Sequence, residues 1–273
     1  MGQAEISKAA RWQAPPFIKA SAALHAVGAT ALVAAPTTWP WVIGALIANH
    51  AGITAAGLWP RSRLLGANIT RLPPAAARRN EIALTFDDGP DPAVTPAVLD
   101  LLDAHQMQAS FFCIGTRAAQ YPELVREIVR RGHSVENHSH CHPAAFSFYG
   151  VGQIRKEIHA AQHTLAALSG ATPRYFRAPA GLRNPMLDPA LNALDLQLVS
   201  WTRRGFDGVS KNSATVLARL TRDLAAGDIL VLHDGQPPRT ANNVPVVLEV
   251  LPPLLRQLQS AGLHSVSLPH AFA

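Results

Sequence analysis

Residues 84–92 read Leu-Thr-Phe-Asp-Asp-Gly-Pro-Asp-Pro and place two adjacent carboxylates, Asp87 and Asp88, at the end of an apolar run. Residues 82–86 are apolar and β-branched, and the Gly-Pro pair that follows predicts a strand that runs out into a loop. In α/β enzymes, the catalytic residues lie at such strand ends. Like charges at contact distance raise one pKa strongly unless a cation lies between them, so the pair indicates a metal site. Taken alone, the motif also fits an ordinary acidic turn.

A second cluster of polar residues follows about fifty residues later, where residues 136–143 read Glu-Asn-His-Ser-His-Cys-His-Pro. Three imidazoles this close together are unfavourable in a hydrophobic core, because each buried ring nitrogen needs a hydrogen-bond partner. Imidazole and carboxylate together suit zinc and similar metals, and three protein ligands leave one position open for water. Asp88 with two of His138, His140 and His142 would form such a site. A strand-like run before the cluster and Pro143 after it place the cluster at a strand exit. A solvent-exposed histidine-rich loop is the alternative.

From about residue 81 to its end, the chain resembles the polysaccharide deacetylase family, the carbohydrate esterases with NodB homology. Four motifs in the family's order carry the resemblance: Thr-Phe-Asp-Asp-Gly-Pro at 85–90, His-Ser-His-Cys-His at 138–142, Arg-Ala-Pro-Ala-Gly at 177–181, and Leu-Val-Leu-His at 230–233. Motifs of this kind are weak singly, and their number and order strengthen the match.

The resemblance implies a metal-dependent deacetylase that removes the N-acetyl group of an amino sugar. Asp88, His138 and His142 would hold a divalent metal ion, with zinc expected. His140 is not a ligand in the family pattern.

The resemblance also implies the other catalytic roles. Asp87 would be the general base, Arg177 would orient it, and His233 would be the general acid that protonates the departing amine. The oxyanion would meet the metal ion and a backbone N–H near Ala180.

The family's remaining motif usually places aspartates beside a tryptophan, and here residues 200–207 depart from that pattern. Within them, Asp207 is predicted to steady either His233 or Arg177. Trp201 is predicted to line the pocket that holds the acyl methyl group. The alternative is that Trp201 is an ordinary residue of the hydrophobic core. Ala180 and Leu230 are the other residues predicted to line this pocket.

Apolar runs alternate with helical patterns along the catalytic segment and predict a parallel sheet, and their number suits a barrel. The runs lie at 82–86, 109–114, 133–137, 174–178, 197–202, 228–233 and 264–268. The family is built on a distorted, incomplete (β/α) barrel, so the predicted fold is a distorted (β/α)7-type barrel with an N-terminal apolar helical hairpin. The predicted organisation is a basic segment at 1–19, two apolar helices at 20–60, a basic linker at 61–80 and the barrel at 81–273.

Residues 20–35 and 41–59 contain no charged side chain, and each run is near the lower limit for a membrane-spanning helix. Tryptophans 39, 41 and 59 lie where interfacial aromatic residues are expected. Three interpretations stay open: a two-helix membrane hairpin, a cleaved signal peptide followed by a helix, and a soluble apolar hairpin.

The charges that flank the hairpin predict its orientation. Lys8, Arg11 and Lys19 precede it, and five arginines lie at 61, 63, 71, 78 and 79 after it. Both flanks are therefore expected on the cytoplasmic side of the inner membrane, with the barrel inside the cell, and a periplasmic barrel is the alternative. The net charge of +6 suits contact with anionic lipid, and the chain lacks the aromatic-basic pattern of a nucleic-acid reader. No nucleic-acid partner is expected.

The expected location bears on the substrate. A cytoplasmic, membrane-associated enzyme suits a polyprenyl-phosphate-linked sugar or another glycolipid precursor, whereas a periplasmic one suits peptidoglycan or an exopolysaccharide. Removal of a formyl group or an O-acetyl ester is an alternative activity. A non-catalytic carbohydrate-binding barrel is the alternative from a different class, and the departure at residues 200–207 is the only feature that favours it. It is disfavoured because six motif residues are all present: Asp87, Asp88, His138, His142, Arg177 and His233.

Overall fold

The computed structural model describes residues 12–273, so Lys8 and Arg11 of the predicted basic segment lie outside the described residues. The chain first forms a hairpin of two helices, α1 (Pro16–Ala34) and α2 (Trp39–Leu58), joined by a 3₁₀ turn. Both helices are long and apolar enough to cross a membrane by length and composition. The predicted apolar hairpin is confirmed.

Polar groups in the hairpin face each other, and large apolar side chains point outward. Asn49 Nδ2 donates to Ser21 Oγ at 2.8 Å, and the Nε2 atoms of His25 and His50 lie 3.3 Å apart. The exposed apolar side chains include Val33 and Trp41, which are 85% and 82% exposed. This is the reverse of the arrangement expected for a helix pair surrounded by water.

The rest of the chain alternates strands with helices. The strands are β1 (Glu81–Asp87), β2 (Ala109–Cys113), β3 (Ser134–Asn137), β4 (Tyr175–Phe176), β5 (Gln197–Leu198), β6 (Arg203–Arg204), β7 (Ile229–His233) and β8 (His264–Ser265). The helices are α3 (Pro74–Arg78), α4 (Thr95–Ala104), α5 (Gly115–Gln120), α6 (Pro122–Arg130), α7 (Val151–Ser169), α8 (Leu187–Ala193), α9 (Ser213–Thr221), α10 (Val246–Ser260) and α11 (Leu268–Ala271).

All the strand pairs are parallel, in the order β5-β4-β3-β2-β1-β7-β6, and β8 pairs with the start of β1. The predicted distorted (β/α)7-type barrel is therefore confirmed. Three predicted runs differ in detail. β4 and β8 cover only two residues each of the runs 174–178 and 264–268, and residues 197–202 do not form one strand. β5 ends at Leu198, Val199 forms a single parallel bridge with Ile69, and the next strand is β6, beside β7.

Residues before β1 bond both to the end of β5, at one edge of the sheet, and to the residues just before β7. Ile69 N donates to Leu198 O at 2.9 Å, and Leu72 N donates to Gly227 O at 2.8 Å. Leu65, Leu72 and Ala76 are buried. The segment predicted as a basic linker thus lies against the barrel.

Alternation along the strands decides which side chains face the barrel interior. Leu84 and Phe86 of β1, with Leu230 and Leu232 of β7, pack in the core beneath the helices. The alternate side chains point inward, and the last of them on β1 is Asp87. This residue is the register partner of His233 at the end of β7. Neighbouring parallel strands therefore present a carboxylate and an imidazole at the same edge of the sheet.

Candidate active site

A pocket of about 160 Å³ lies at the carboxyl ends of the strands. Asp87 and His233 end β1 and β7, whereas Asp88 and His138 are the first residues after β1 and β3. The lining residues are Asp87, Asp88, His138, His142, Ala180, Gly181, Trp201, Arg204, Phe206, Gly208, Val209, Val231 and His233. The fold therefore brings residues from all four family motifs to one pocket.

Asp88, His138 and His142 form a group whose ligand atoms all lie within 4.8 Å of one another. Asp88 Oδ1 is 3.3 Å from Nε2 of each histidine. This oxygen is buried and has no hydrogen-bond partner. His140 lies outside the group, and its ring packs against Gly115.

The tautomer of His138 shows that the three residues fit a metal ion. Its Nδ1 lies 2.8 Å from Arg177 O, and a carbonyl oxygen only accepts, so Nδ1 carries the proton. In the neutral ring, the Nε2 lone pair points at Asp88 Oδ1 at 3.3 Å, and a cation between the two atoms removes the repulsion of their lone pairs. A carboxylate with two imidazoles is a donor set suited to a divalent metal ion.

The pKa values of Asp88 and His142 agree with that fit. Burial lowers the pKa of His138, but the charges of Asp87 and Asp88 outweigh it and raise the pKa, which in the absence of a cation favours the protonated ring. Burial raises the pKa of Asp88, but the positive charges of His138, His233 and His142 outweigh it and hold the pKa below its usual range. Burial and the charge of His138 lower the pKa of His142. An ionised carboxylate and a neutral imidazole are the forms in which these side chains bind metals.

Asp87 forms a buried ion pair with Arg177, whose Nη1 lies 2.7 Å from Asp87 Oδ1. The same Nη1 donates to Thr85 Oγ1 at 2.8 Å, and Nη2 and Nε donate to the carbonyl oxygens of Ser200 and Val199. The guanidinium also stacks on Phe112, 4.0 Å from the ring centre. Every guanidinium nitrogen of Arg177 thus has a hydrogen-bond partner, and an arginine fixed in this way holds the carboxylate in one orientation.

His233 is held by Asp207, which is fully buried. Asp207 Oδ1 accepts from His233 Nδ1 at 2.9 Å, and Oδ2 accepts from the His233 backbone N–H at 2.7 Å. Burial lowers the pKa of His233, but the charge and hydrogen bond of Asp207 outweigh it and raise the pKa to about 9. The imidazole is therefore protonated at neutral pH. Gly208 packs on the ring, since a Cβ there would lie 3.2 Å from it.

Of the residues predicted to line the substrate pocket, Ala180 and Trp201 do so and Leu230 does not. The side chain of Leu230 lies in the core beneath the helices. Val231 points to the other face of β7 and lines the pocket instead. Side chains of a strand alternate between its two faces, so Val231, two residues before His233, shares the face of His233, and Leu230 lies on the opposite face.

Several residues of the site were missed by the sequence analysis. Arg204, Phe206 and Val209 line the pocket. Asp234 lies buried behind it, where its Oδ2 accepts from Thr95 Oγ1 at 2.6 Å and burial raises its pKa to about 7. Its position next to His233 was the only sequence signal for Asp234.

Comparisons with known proteins agree with this geometry. The sequence profile of the family described as "Polysaccharide deacetylase" matches residues 75–199. The chitooligosaccharide deacetylase of Bradyrhizobium sp. (strain ANU 289) is 35% identical over 176 residues, which cover 61% of this chain and 80% of that protein. A peptidoglycan-N-acetylglucosamine deacetylase of Bacillus cereus is 29% identical over 194 residues, which cover 70% of this chain and 68% of that protein.

Solved structures show the same fold. The crystal structure of a peptidoglycan N-acetylglucosamine deacetylase in complex with 4-naphthalen-1-yl-N-oxidanyl-benzamide superposes with a TM-score of 0.65 at 28% identity. The match covers 75% of this chain and 92% of that chain.

Proposed function

Because the chain belongs to the polysaccharide deacetylase family, we propose that it is a metal-dependent deacetylase acting on an N-acetylated amino sugar of a polysaccharide or a lipid-linked glycan precursor. Its membership makes it a hydrolase of non-peptide carbon–nitrogen bonds. The observation that carries the proposal is the convergence of three units on one pocket: the Asp88 ligand group, the Asp87–Arg177 pair and the His233–Asp207 pair.

Asp88, His138 and His142 would hold the metal ion, for which the orphaned Asp88 oxygen and the His138 tautomer are the support. We expect zinc from the donor set. A divalent ion bound there supplies a Lewis acid, which lowers the pKa of a nearby water and polarises the acyl carbonyl.

Asp87 is the proposed general base. Its carboxylate lies beside the ligand group and is oriented by Arg177, so it can take a proton from the water that attacks the acyl carbon. A backbone N–H near Ala180 is proposed to meet the oxyanion that forms in this step.

His233 is the proposed general acid. Its Nδ1–H is committed to Asp207, which leaves the Nε2–H to protonate the sugar nitrogen as the carbon–nitrogen bond breaks. Acetate and a free amine result. Asp207 acts through His233, so it is a positioning residue.

The size of the pocket limits how much of the substrate it encloses. Its volume of about 160 Å³ lies below the roughly 300–1,000 Å³ of pockets that surround a whole drug-sized ligand. Trp201 and Val231 are proposed to contact the acyl group, and the rest of the substrate must lie outside.

Acetate release tests the proposed function. We expect the purified, metal-loaded protein to release acetate from N-acetylated amino-sugar oligomers or lipid-linked N-acetylated sugars. A chelator should abolish release, and added zinc should restore it. Absence of acetate from every substrate, with metal demonstrably bound, would refute the deacetylase assignment.

We also propose that α1 and α2 anchor the protein in the cytoplasmic membrane, with the barrel on the cytoplasmic side. Support comes from the outward-facing apolar side chains and the basic flanks. We expect the protein to stay in the membrane fraction after an alkaline carbonate wash, and a reporter fused after Ala273 to be cytoplasmic. Release into the wash contradicts the anchor, and a periplasmic reporter contradicts the orientation.

A further inference from the structure

A second cavity, which we call the arginine groove, lies directly beside the catalytic pocket and encloses about 620 Å³. Its lining includes Arg61, Arg204, Arg219 and Arg222. The groove and the pocket share Arg204 and three other lining residues, so they adjoin each other. Whatever part of a substrate extends beyond the small pocket can therefore lie in this groove.

The charged side chains that line the groove are all positive. No acidic residue lines it, and none of the four arginines forms an ion pair within residues 12–273. Arg203, which also lines it, differs because its Nε lies 2.9 Å from Asp228 Oδ2. Elsewhere on the barrel exposed arginines do have acidic partners, such as Glu123 beside Arg126. Uncompensated cations in a cleft attract an anion.

Arg204 stands at the junction between pocket and groove and is held in place without a carboxylate. Its guanidinium carbon lies 4.9 Å from the ring centre of Trp201 and 4.8 Å from that of Phe206. Its buried Nε has no hydrogen-bond partner. Arg219 stacks on the same Phe206 ring at 5.5 Å. Planar guanidinium groups fixed in this way match the oxygen atoms of a phosphate.

The other wall of the groove comes from the end of the apolar hairpin. Leu58 and Trp59 line the groove, and each is 61% exposed. Arg61 follows two residues later, with only a 3.5 Å contact to Thr202 O. The groove thus has arginines close to an exposed apolar edge, and an anion joined to an aliphatic chain combines the same two chemistries.

We propose that the arginine groove binds the phosphate or diphosphate of a glycosyl phosphate lipid, so that the N-acetylated sugar reaches the catalytic pocket while the lipid follows Leu58 and Trp59. This inference rests on the proposed deacetylase function and names its substrate class. The phosphate of a bilayer phospholipid is a second source of the same anion, and the experiment below separates the two.

The test uses the full-length, metal-loaded protein in neutral detergent and two matched substrates. One is farnesyl diphosphate N-acetylglucosamine, and the other is a farnesyl glycoside of N-acetylglucosamine without phosphate. We expect the double variant Arg219→Gln/Arg222→Gln to lower the ratio of kcat/KM for the first substrate over the second by roughly 10- to 100-fold, as for lost hydrogen bonds to a charged group. The loss should lie in KM. The control Arg126→Gln, on an exposed helix face, should keep the wild-type ratio.

Two results would overturn the proposal. One is a wild-type enzyme that treats both substrates equally. The other is a double variant whose only defect is weaker binding to phosphatidylglycerol vesicles, which would assign the groove to bilayer headgroups. If neither substrate releases acetate, the binding of farnesyl diphosphate N-acetylglucosamine to the wild type and to the double variant is measured by calorimetry. In that case, weaker binding by the double variant than by the wild type supports phosphate binding in the arginine groove, although the deacetylase assignment fails. Equal binding by the two proteins refutes phosphate binding in the groove.

Discussion

Asp88→Ala is expected to lose its metal ion and its activity together. Asp88 supplies the carboxylate of the ligand group, and its Oδ1 lies 3.3 Å from both histidine Nε2 atoms. Without it, the ligand group has two imidazoles and no negatively charged ligand to hold the cation. The metal content of the purified variant should fall, and acetate release should drop to the level of the chelator-treated wild type.

Asp87→Asn is the matched control for this variant, because it changes the neighbouring carboxylate by one atom. It should keep the metal ion and lose about 10²- to 10⁴-fold in kcat, the range for a removed general base. Breaking the buried pair with Arg177 should also destabilise the fold, by roughly 3–5 kcal/mol for removal of one partner. Thermal unfolding must therefore be measured beside activity. Asp87→Asn with full activity would remove this residue from the mechanism, and Asp88→Ala with full metal content would remove Asp88 from the ligand group.

His233→Ala is expected to slow amide cleavage by about 10²- to 10⁴-fold while leaving metal content unchanged. Cleavage of an activated ester should fall much less, because its leaving group needs no proton. Both rates are measured on one enzyme preparation. Equal losses on the two substrates would contradict the role of His233 as an acid.

The pH dependence of Asp207→Asn gives a second measurement on the same residue. Asp207, together with the charges of Asp87 and Asp88, raises the pKa of His233 to about 9, so the protonated acid is present below that pH and is lost as the pH rises through it. Removing the carboxylate lowers the pKa, so the alkaline limb of kcat/KM should move to lower pH. A limb that stays in place would show that the activity does not depend on this proton.

The strand ends that carry the proposed catalytic side chains follow from local sequence. The apolar run before Asp87, stopped by Gly-Pro, predicts a strand end there, and β1 ends at Asp87. The alternation of strands and helices predicts the parallel barrel in the same way, since each element depends on periodicity within a few residues. The prediction for Leu230 missed this periodicity, because a period of two from His233 places Leu230 under the helices.

Other features depended on how distant segments pack. From the sequence, either His233 or Arg177 could be the partner of Asp207. Its hydrogen bonds go to His233. The chain crosses from β5 at one edge of the sheet to β6 at the other, and β6 pairs in parallel with β7, so Asp207 after β6 lies beside His233 at the end of β7. No local pattern marks that crossing.

The amino-acid sequence by itself determined the barrel, the apolar hairpin and the strand-end positions of the motif residues, since periodicity and motif spacing are local properties of the chain. Only the tertiary structure decided the single-sign groove. Its arginines come from the end of the hairpin, from β6 and from α9 and the residue after it, with up to 161 positions between Arg61 and Arg222. Such residues become neighbours only when the sheet closes, because the contacts that join them are long-range and carry no signature in the order of the residues.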